Sequence, residues 1–259
     1  MSNTLKIGLV QTNLVWENPI QNRINLKEKI EAITEPVDII VLPEMFTSGF
    51  TMNASSVVET MQGETVSWLK ELSKKCNSAI TGSIAVSEDN TFYNRLLFVT
   101  PKGKIFTYDK RHTFTLAGEH KVYKAGTEKV IINYKDWKIC PLICYDLRFP
   151  VWARNTQDYD LLFYVANWPK VRVDAWSALL KARAIENMSY CIGVNRVGLD
   201  GNGFEYTGHS AAYDVLGQRI DTIPEGDEHT EVVVIEKSHI LKYREKLQFL
   251  TDRDTFNLT

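Results

Sequence analysis

Trp137-Lys138-Ile139-Cys140-Pro141-Leu142-Ile143-Cys144-Tyr145-Asp146-Leu147-Arg148-Phe149-Pro150 is the stretch on which the reading of this chain turns. Trp137 to Ile143 has the length and apolar character of a buried strand. The sequence becomes polar immediately after Cys144, and a helix start is expected next. A thiol is thus delivered to a strand-to-helix elbow, where free N–H groups and the helix dipole favour thiolate. Reactive groups in open α/β sheets collect just past the carboxyl ends of strands.

On either side of this stretch, short apolar runs alternate with helical patterns. Strands are expected at Leu5–Gln11, Val37–Leu42, Ala79–Val86, Tyr93–Thr100, Lys104–Tyr108, Lys129–Tyr134, Leu161–Val165, Cys191–Asn195, Ala211–Asp214, Gln218–Thr222 and Glu231–Ile235. Helices are expected at Ile20–Ile33, amphipathic with Ile24, Ile30 and Ile33 among its apolar positions, and at Glu64–Lys75, with Val66, Leu69 and Leu72 inward. A third runs over Asp174–Asn187, with Asp174 as its N-cap. Turns at Pro101-Lys102-Gly103, Lys135-Asp136 and Leu216-Gly217 require antiparallel hairpins, whereas wholly apolar strands require helices over the sheet. A layered α/β domain with mixed sheets satisfies both.

The chain has 259 residues, 30 basic and 32 acidic side chains and a net charge of -2. Surface scaling removes about 73% of the extended chain's area from water, enough for a large core. No linker or repeat divides residues 1–259, so one domain is expected, with Phe249–Thr259 as a polar tail. The even charge balance provides no basic face for nucleic acid. The longest apolar run, Leu161–Ala166, is far below the ~20 residues that span a bilayer. Met1–Gln11 lacks the pattern of a signal peptide. The four cysteines show no Cys-x-x-Cys spacing, so reduced thiols in a cytoplasmic protein are expected. Cys76, Cys140 and Cys191 read as small buried hydrophobes.

Two further strand ends carry ionisable groups. Ile39-Ile40-Val41-Leu42-Pro43 stops at a proline that cannot extend the ladder and leaves Glu44 at its lip. Ile105 to Asp109 delivers Lys110. A nucleophilic cysteine needs a base, usually histidine. Yet His112, His120, His209, His229 and His239 all lie in polar or loop contexts. A carboxylate serves instead where burial and a neighbouring thiol raise its pKa, and an ammonium beside it stabilises an oxyanion. Glu44, Lys110 and Cys144 therefore form a consistent set for acyl transfer.

Leu42-Pro43-Glu44, Asp109-Lys110 with His112, and Ile143-Cys144-Tyr145-Asp146-Leu147-Arg148-Phe149-Pro150 resemble, in order, the Glu, Lys and Cys motifs of the nitrilase superfamily of carbon–nitrogen hydrolases. The resemblance extends from Leu5 to about Ile235. It implies a four-layer α-β-β-α sandwich with two mixed sheets, and a homodimer. Gly118-Glu119-His120 resembles the segment that supplies the family's second glutamate, which assigns that role to Glu119. The resemblance also places the backbone N–H of Tyr145 beside the oxyanion.

Phe46-Thr47-Ser48-Gly49-Phe50, Asn167-Trp168-Pro169 with Arg172, and Ala182-Arg183-Ala184-Ile185-Glu186-Asn187 are most similar to the bacterial omega-amidases, which cleave the terminal amide of 2-oxoglutaramate and related dicarboxylate monoamides. Arg172 is then the candidate for the distal carboxylate, because guanidinium pairs with it bidentately. Phe46 and Trp168 are candidate apolar walls, and Asp146 and Arg148 are expected to brace the elbow through hydrogen bonds. No metal or organic cofactor is expected, since every step is proton transfer or charge stabilisation. The competing readings are another superfamily amidase, an N-carbamoyl hydrolase or a nitrilase. From a different class comes a non-catalytic thiol sensor or ligand-binding module.

Overall fold

The structure, a computed structural model, describes residues 3–257. Met1, Ser2 and the last two tail residues, Leu258 and Thr259, lie outside the described residues. The chain order is β1 (Thr4–Gln11), α1 (Pro19–Glu31), β2 (Ile39–Val41), α2 (Glu64–Cys76), β3 (Ala79–Glu88), β4 (Thr91–Val99) and β5 (Ile105–Asp109). It continues with β6 (Ile132–Tyr134), β7 (Trp137–Ile143), α3 (Pro150–Ala153), β8 (Leu161–Ala166), α4 (Val173–Asn187) and β9 (Tyr190–Asn195). Last come β10 (Val197–Leu199), β11 (Glu205–Thr207), β12 (Ala211–Tyr213), β13 (His229–Glu236) and α5 (Lys237–Leu247).

Two mixed sheets result, ordered β13-β1-β2-β3-β4-β5 and β12-β9-β8-β7-β6, with β10-β11 as a separate ribbon. Within the two sheets, parallel strand pairs run through β1-β2-β3 and β7-β8-β9, and the flanking strands run antiparallel. Strand alternation separates the layers. Leu5, Ile7, Leu9, Ile39, Val41, Leu96 and Phe98 share one core with Ile139, Leu142, Phe163 and Ile192 of the other sheet. The intervening Val10, Ile40, Leu97 and Val99 meet Leu26, Ile30, Val66, Leu69 and Leu72 of α1 and α2. Trp176, Leu180 and Ala184 of α4 cover the second sheet. The expected α-β-β-α sandwich is therefore formed. No helix among the described residues is long and apolar enough to cross a membrane.

Pro141 is tolerated inside β7 because β6 pairs with β7 only as far as Ile139. Several local expectations fail for identifiable reasons. Ile24 is 48% exposed; the inward face of α1 is Asn22, Leu26 and Ile30. Asn22 is drawn in because its amide donates to the carbonyls of Val15 (2.7 Å) and Thr47 (2.7 Å). Asp174 does not cap α4; Arg172 occupies the N-cap position and Asp174 lies in the first turn. Gln218–Thr222 forms no strand and only the single bridge Tyr213–Arg219. There the Asp221 carboxylate accepts the Ala212 N–H (2.7 Å), so a side chain occupies a position a strand partner would fill.

Candidate active site

Glu44, Lys110 and Cys144 sit just past strand ends, and Glu119 opens a short 3-10 turn. Past β2, Met45 adopts a left-handed φ of 42° immediately after Glu44, and β3 holds this turn through Ser83 Oγ and O, which accept the N–H groups of Met45 and Phe46. Past β7, Cys144 itself has φ 41°, a strained conformation for a non-glycine residue. Past β5, Lys110 O accepts the N–H of Gly126 (2.9 Å). A Cβ at Gly126 would stand 2.2 Å from the Asp109 carbonyl oxygen, so only glycine permits that approach. Glu119 follows the left-handed Gly118 (φ 77°), and its side chain accepts the Phe114 N–H (2.5 Å).

These turns bring Glu44, Lys110, Glu119 and Cys144 together. Lys110 Nζ donates to Glu44 Oε1 (2.8 Å) and to Glu119 Oε1 (3.0 Å) and Oε2 (2.9 Å), and all three side chains are at most 1% exposed. Glu44 Oε2 accepts the Asn167 N–H (2.8 Å), and Asn167 Nδ2 donates to Glu44 O (2.6 Å). Cys144 Sγ lies 3.8 Å from Asn167 O.

Burial and the nearby Glu44 carboxylate hold the Cys144 thiol well above its usual pKa, outweighing Lys110. The expected thiolate is thus not favoured. Cys144–Arg148 winds as a 3-10 turn and α3 spans only four residues, so no long helix dipole opposes desolvation. Burial would lower the pKa of Lys110, but Glu119 and Glu44 raise it overall, so it stays an ammonium. Burial, partly offset by Lys110, raises Glu119.

Asp146 does brace the elbow. Its Oδ2 accepts Tyr108 OH (2.7 Å) and the Ile143 N–H (3.1 Å), and its Oδ1 accepts the His112 N–H (2.9 Å). The ring of His112 reaches Asp146 (2.8 Å) and stacks on Phe149 at 3.6 Å. Arg148, by contrast, makes no bracing side-chain hydrogen bond among the described residues. It is exposed and lies over the Trp168 ring at 4.9 Å.

Cys144 and Lys110 open on a cavity of about 560 Å³. Its walls include Trp16, Phe50, Phe114, Tyr145, Trp168 and Tyr206. Trp168 is therefore a wall, but Phe46 is not. Phe46 is fully buried, against Trp68 at 6.1 Å between ring centroids, and the turn at Met45 gives the wall position to Phe50. Phe50 lies 5.0 Å from Lys110 Nζ. At the mouth, Glu17 accepts from Thr51 and Asn53, and Asp200 accepts from Asn202, Phe204 and Tyr206. The guanidiniums of Arg148 and Arg172 also line the cavity; that of Arg172 lies 5.2 Å from the Phe114 ring centroid. Neither has a carboxylate partner among the described residues.

Sequence reasoning missed Asn94, whose Nδ2 donates to Glu44 Oε1 (2.8 Å) and Glu119 Oε1 (3.3 Å). The one signal for it was an asparagine inside an otherwise good strand, where that residue is disfavoured.

A buried carboxylate–ammonium pair behind a thiol on a four-layer sandwich defines a class, and the chain belongs to it: it matches the carbon-nitrogen hydrolase family over residues 6–245. It is 46% identical to the omega-amidase YafV of Escherichia coli strain K12 over 257 residues, 98% of each chain. It is 34% identical to the 2-oxoglutaramate amidase of Bacillus subtilis strain 168, over 82% of this chain and 83% of that one. Among solved structures it is similar to XC1258 of Xanthomonas campestris, a CN-hydrolase superfamily protein with an arsenic adduct in the active site. That similarity has a TM-score of 0.97 and 40% identity, with full coverage of both chains.

Proposed function

We propose that this protein is an omega-amidase, hydrolysing the terminal amide of 2-oxoglutaramate or a related dicarboxylate monoamide to the acid and ammonia. The observation that carries this reading is the division of charge in the cavity. A thiol backed by Glu44 and Lys110 lies on the floor, and the mouth holds two guanidiniums that have no carboxylate partner among the described residues, beside carboxylates already hydrogen-bonded. The names of the E. coli and B. subtilis relatives support the same substrate class.

Glu44 takes the thiol proton as Cys144 Sγ bonds to the amide carbon. The oxyanion is held by the Lys110 ammonium and the N–H of Tyr145, which stands in the first turn of a 3-10 segment, where leading N–H groups lack a partner in the turn. Glu44 returns its proton to the nitrogen as the C–N bond breaks, releasing ammonia and leaving a thioester. Glu44 then deprotonates water for attack on that thioester, and the departing sulfur recovers a proton. Glu119 keeps Lys110 charged and aimed. Arg172 pairs with the distal carboxylate, while Trp168 flanks the substrate. The protein acts as one domain, a cytoplasmic homodimer.

Ammonia release from 2-oxoglutaramate, glutamine, asparagine and a simple aliphatic amide tests the reading. The expected result is the largest kcat/KM on 2-oxoglutaramate. Equal rates on all four would overturn the substrate class, and no ammonia from any of them, with release from a nitrile or a carbamoyl amino acid assayed beside them, would overturn the reaction.

A further inference from the structure

The Lys110 ammonium meets one oxygen of Glu44 (2.8 Å) and both oxygens of Glu119 (3.0 and 2.9 Å); the two oxygens of one carboxylate stand too close together to take separate protons, so they share one, and the ammonium's third proton is left for the oxyanion. That third proton meets the oxyanion only while the other two stay on their carboxylates, so the aim of the ammonium depends on what holds Glu44 and Glu119 in place. Asn94 Nδ2 already reaches two of those three oxygens, Glu44 Oε1 and Glu119 Oε1.

The placement of Asn94 is built. Its neighbour Arg95 projects from β4 to Asp109 (2.7 Å) and Glu88 (2.9 Å), so alternation directs Asn94 to the opposite face. The Asn94 carbonyl accepts the Lys110 N–H (3.0 Å), locking the two residues together. Asn94 Oδ1 is buried without a hydrogen-bond partner among the described residues. Ionised carboxylates offer only acceptors, so the amide must turn its NH₂ toward them and leave its own acceptor orphaned. A residue that merely filled space would not need that sacrifice.

We propose that Asn94 is a positioning residue for the hydrolysis: by donating to Glu44 Oε1 and Glu119 Oε1 it holds the two carboxylates that aim the remaining Lys110 N–H at the oxyanion. This rests on the Glu–Lys–Cys reading above. The titratable groups that interact with the two carboxylates Asn94 holds are Lys110, Cys144 and Tyr123, the hydroxyl of the last being pushed up mainly by burial and then by Glu119.

The test uses full-length Asn94→Leu, which keeps the shape without a donor, and Asn94→Asp, which keeps polarity but, ionised, also lacks one. Each is assayed on whichever amide the wild type hydrolyses fastest, so a failure of 2-oxoglutaramate as substrate leaves the comparison intact. Asn94→Leu is expected to lower kcat about 100-fold, as for loss of an oxyanion donor, with KM within about threefold. The Ki of the aldehyde matching that amide, whose thiohemiacetal carries an oxygen in the oxyanion position, should weaken by the same factor as kcat/KM. Asn94→Asp should lose at least as much, because it adds a third carboxylate beside one ammonium. Wild-type kcat and aldehyde affinity in either folded variant would overturn the proposal, as would a loss confined to thermal stability. A wild type inert to every amide would overturn this inference and the functional reading together.

Discussion

The floor and the mouth of the cavity are built on opposite principles. On the floor, Glu44, Lys110 and Glu119 are buried, and the lysine ammonium meets three carboxylate oxygens within 3.0 Å. At the mouth, Arg148 is exposed, Arg172 is half-buried, and neither guanidinium meets a carboxylate among the described residues. A buried charge survives only when paired, so the floor is preorganised and tolerates little change. Exposed charges bear no such cost, and the mouth is free to present its cations to a ligand. Chemistry and recognition are thereby separated, and substitutions should separate them too.

The largest effect is expected at the floor. Lys110→Met removes an oxyanion donor and should lower kcat by about 100- to 1,000-fold. It also leaves Glu44 and Glu119 facing each other unneutralised, for a stability loss of about 3–5 kcal/mol in denaturant titration. A fall in kcat with unchanged stability would show that the two carboxylates do not depend on the lysine.

At the mouth, Arg172→Ala should leave kcat nearly unchanged and raise KM for carboxylate-bearing amides about 10- to 100-fold, the size of a charge-assisted hydrogen-bond pair. KM for a neutral aliphatic amide should not move. An equal rise for both substrates would remove Arg172 from carboxylate recognition and sharpen attention on Arg148.

The smallest effect concerns a thiol in neither region. Burial pushes Cys140 up to about 12. An unfolded thiol ionises near 8.5, so above that pH the unfolded chain binds fewer protons than the folded one, and stability declines until the folded thiol also ionises. Cys140→Ala should make the decline between pH 9 and 11 shallower by up to about 1.4 kcal/mol per pH unit. Parallel curves for the two proteins would place the alkaline sensitivity elsewhere.

The same contrast explains what could be read from the amino-acid sequence. Glu44, Lys110 and Cys144 were legible because each interrupts an apolar run at the end of a strand, and a strand end is a one-dimensional feature. Asn94 lies inside β4, and its importance depends on the β4–β5 register that sets its carbonyl against Lys110. Phe46 and Phe50 look equivalent until the left-handed turn at Met45 sends one into the core and the other to the cavity. The thiolate expected at the elbow fails because burial and Glu44 outweigh what a short 3-10 turn offers. Desolvation depends on the whole fold, and no local motif encodes it.

The central claim is that Cys144 sulfur becomes covalently attached to the acyl group of an amide. The direct measurement is a single turnover with enzyme in excess over 2-oxoglutaramate, quenched in acid at successive times, digested and read by mass spectrometry. The peptide carrying Cys144 should transiently gain the mass of the substrate minus ammonia. Ammonia release with that peptide unmodified at every time point, or with the mass on another residue, would contradict the account.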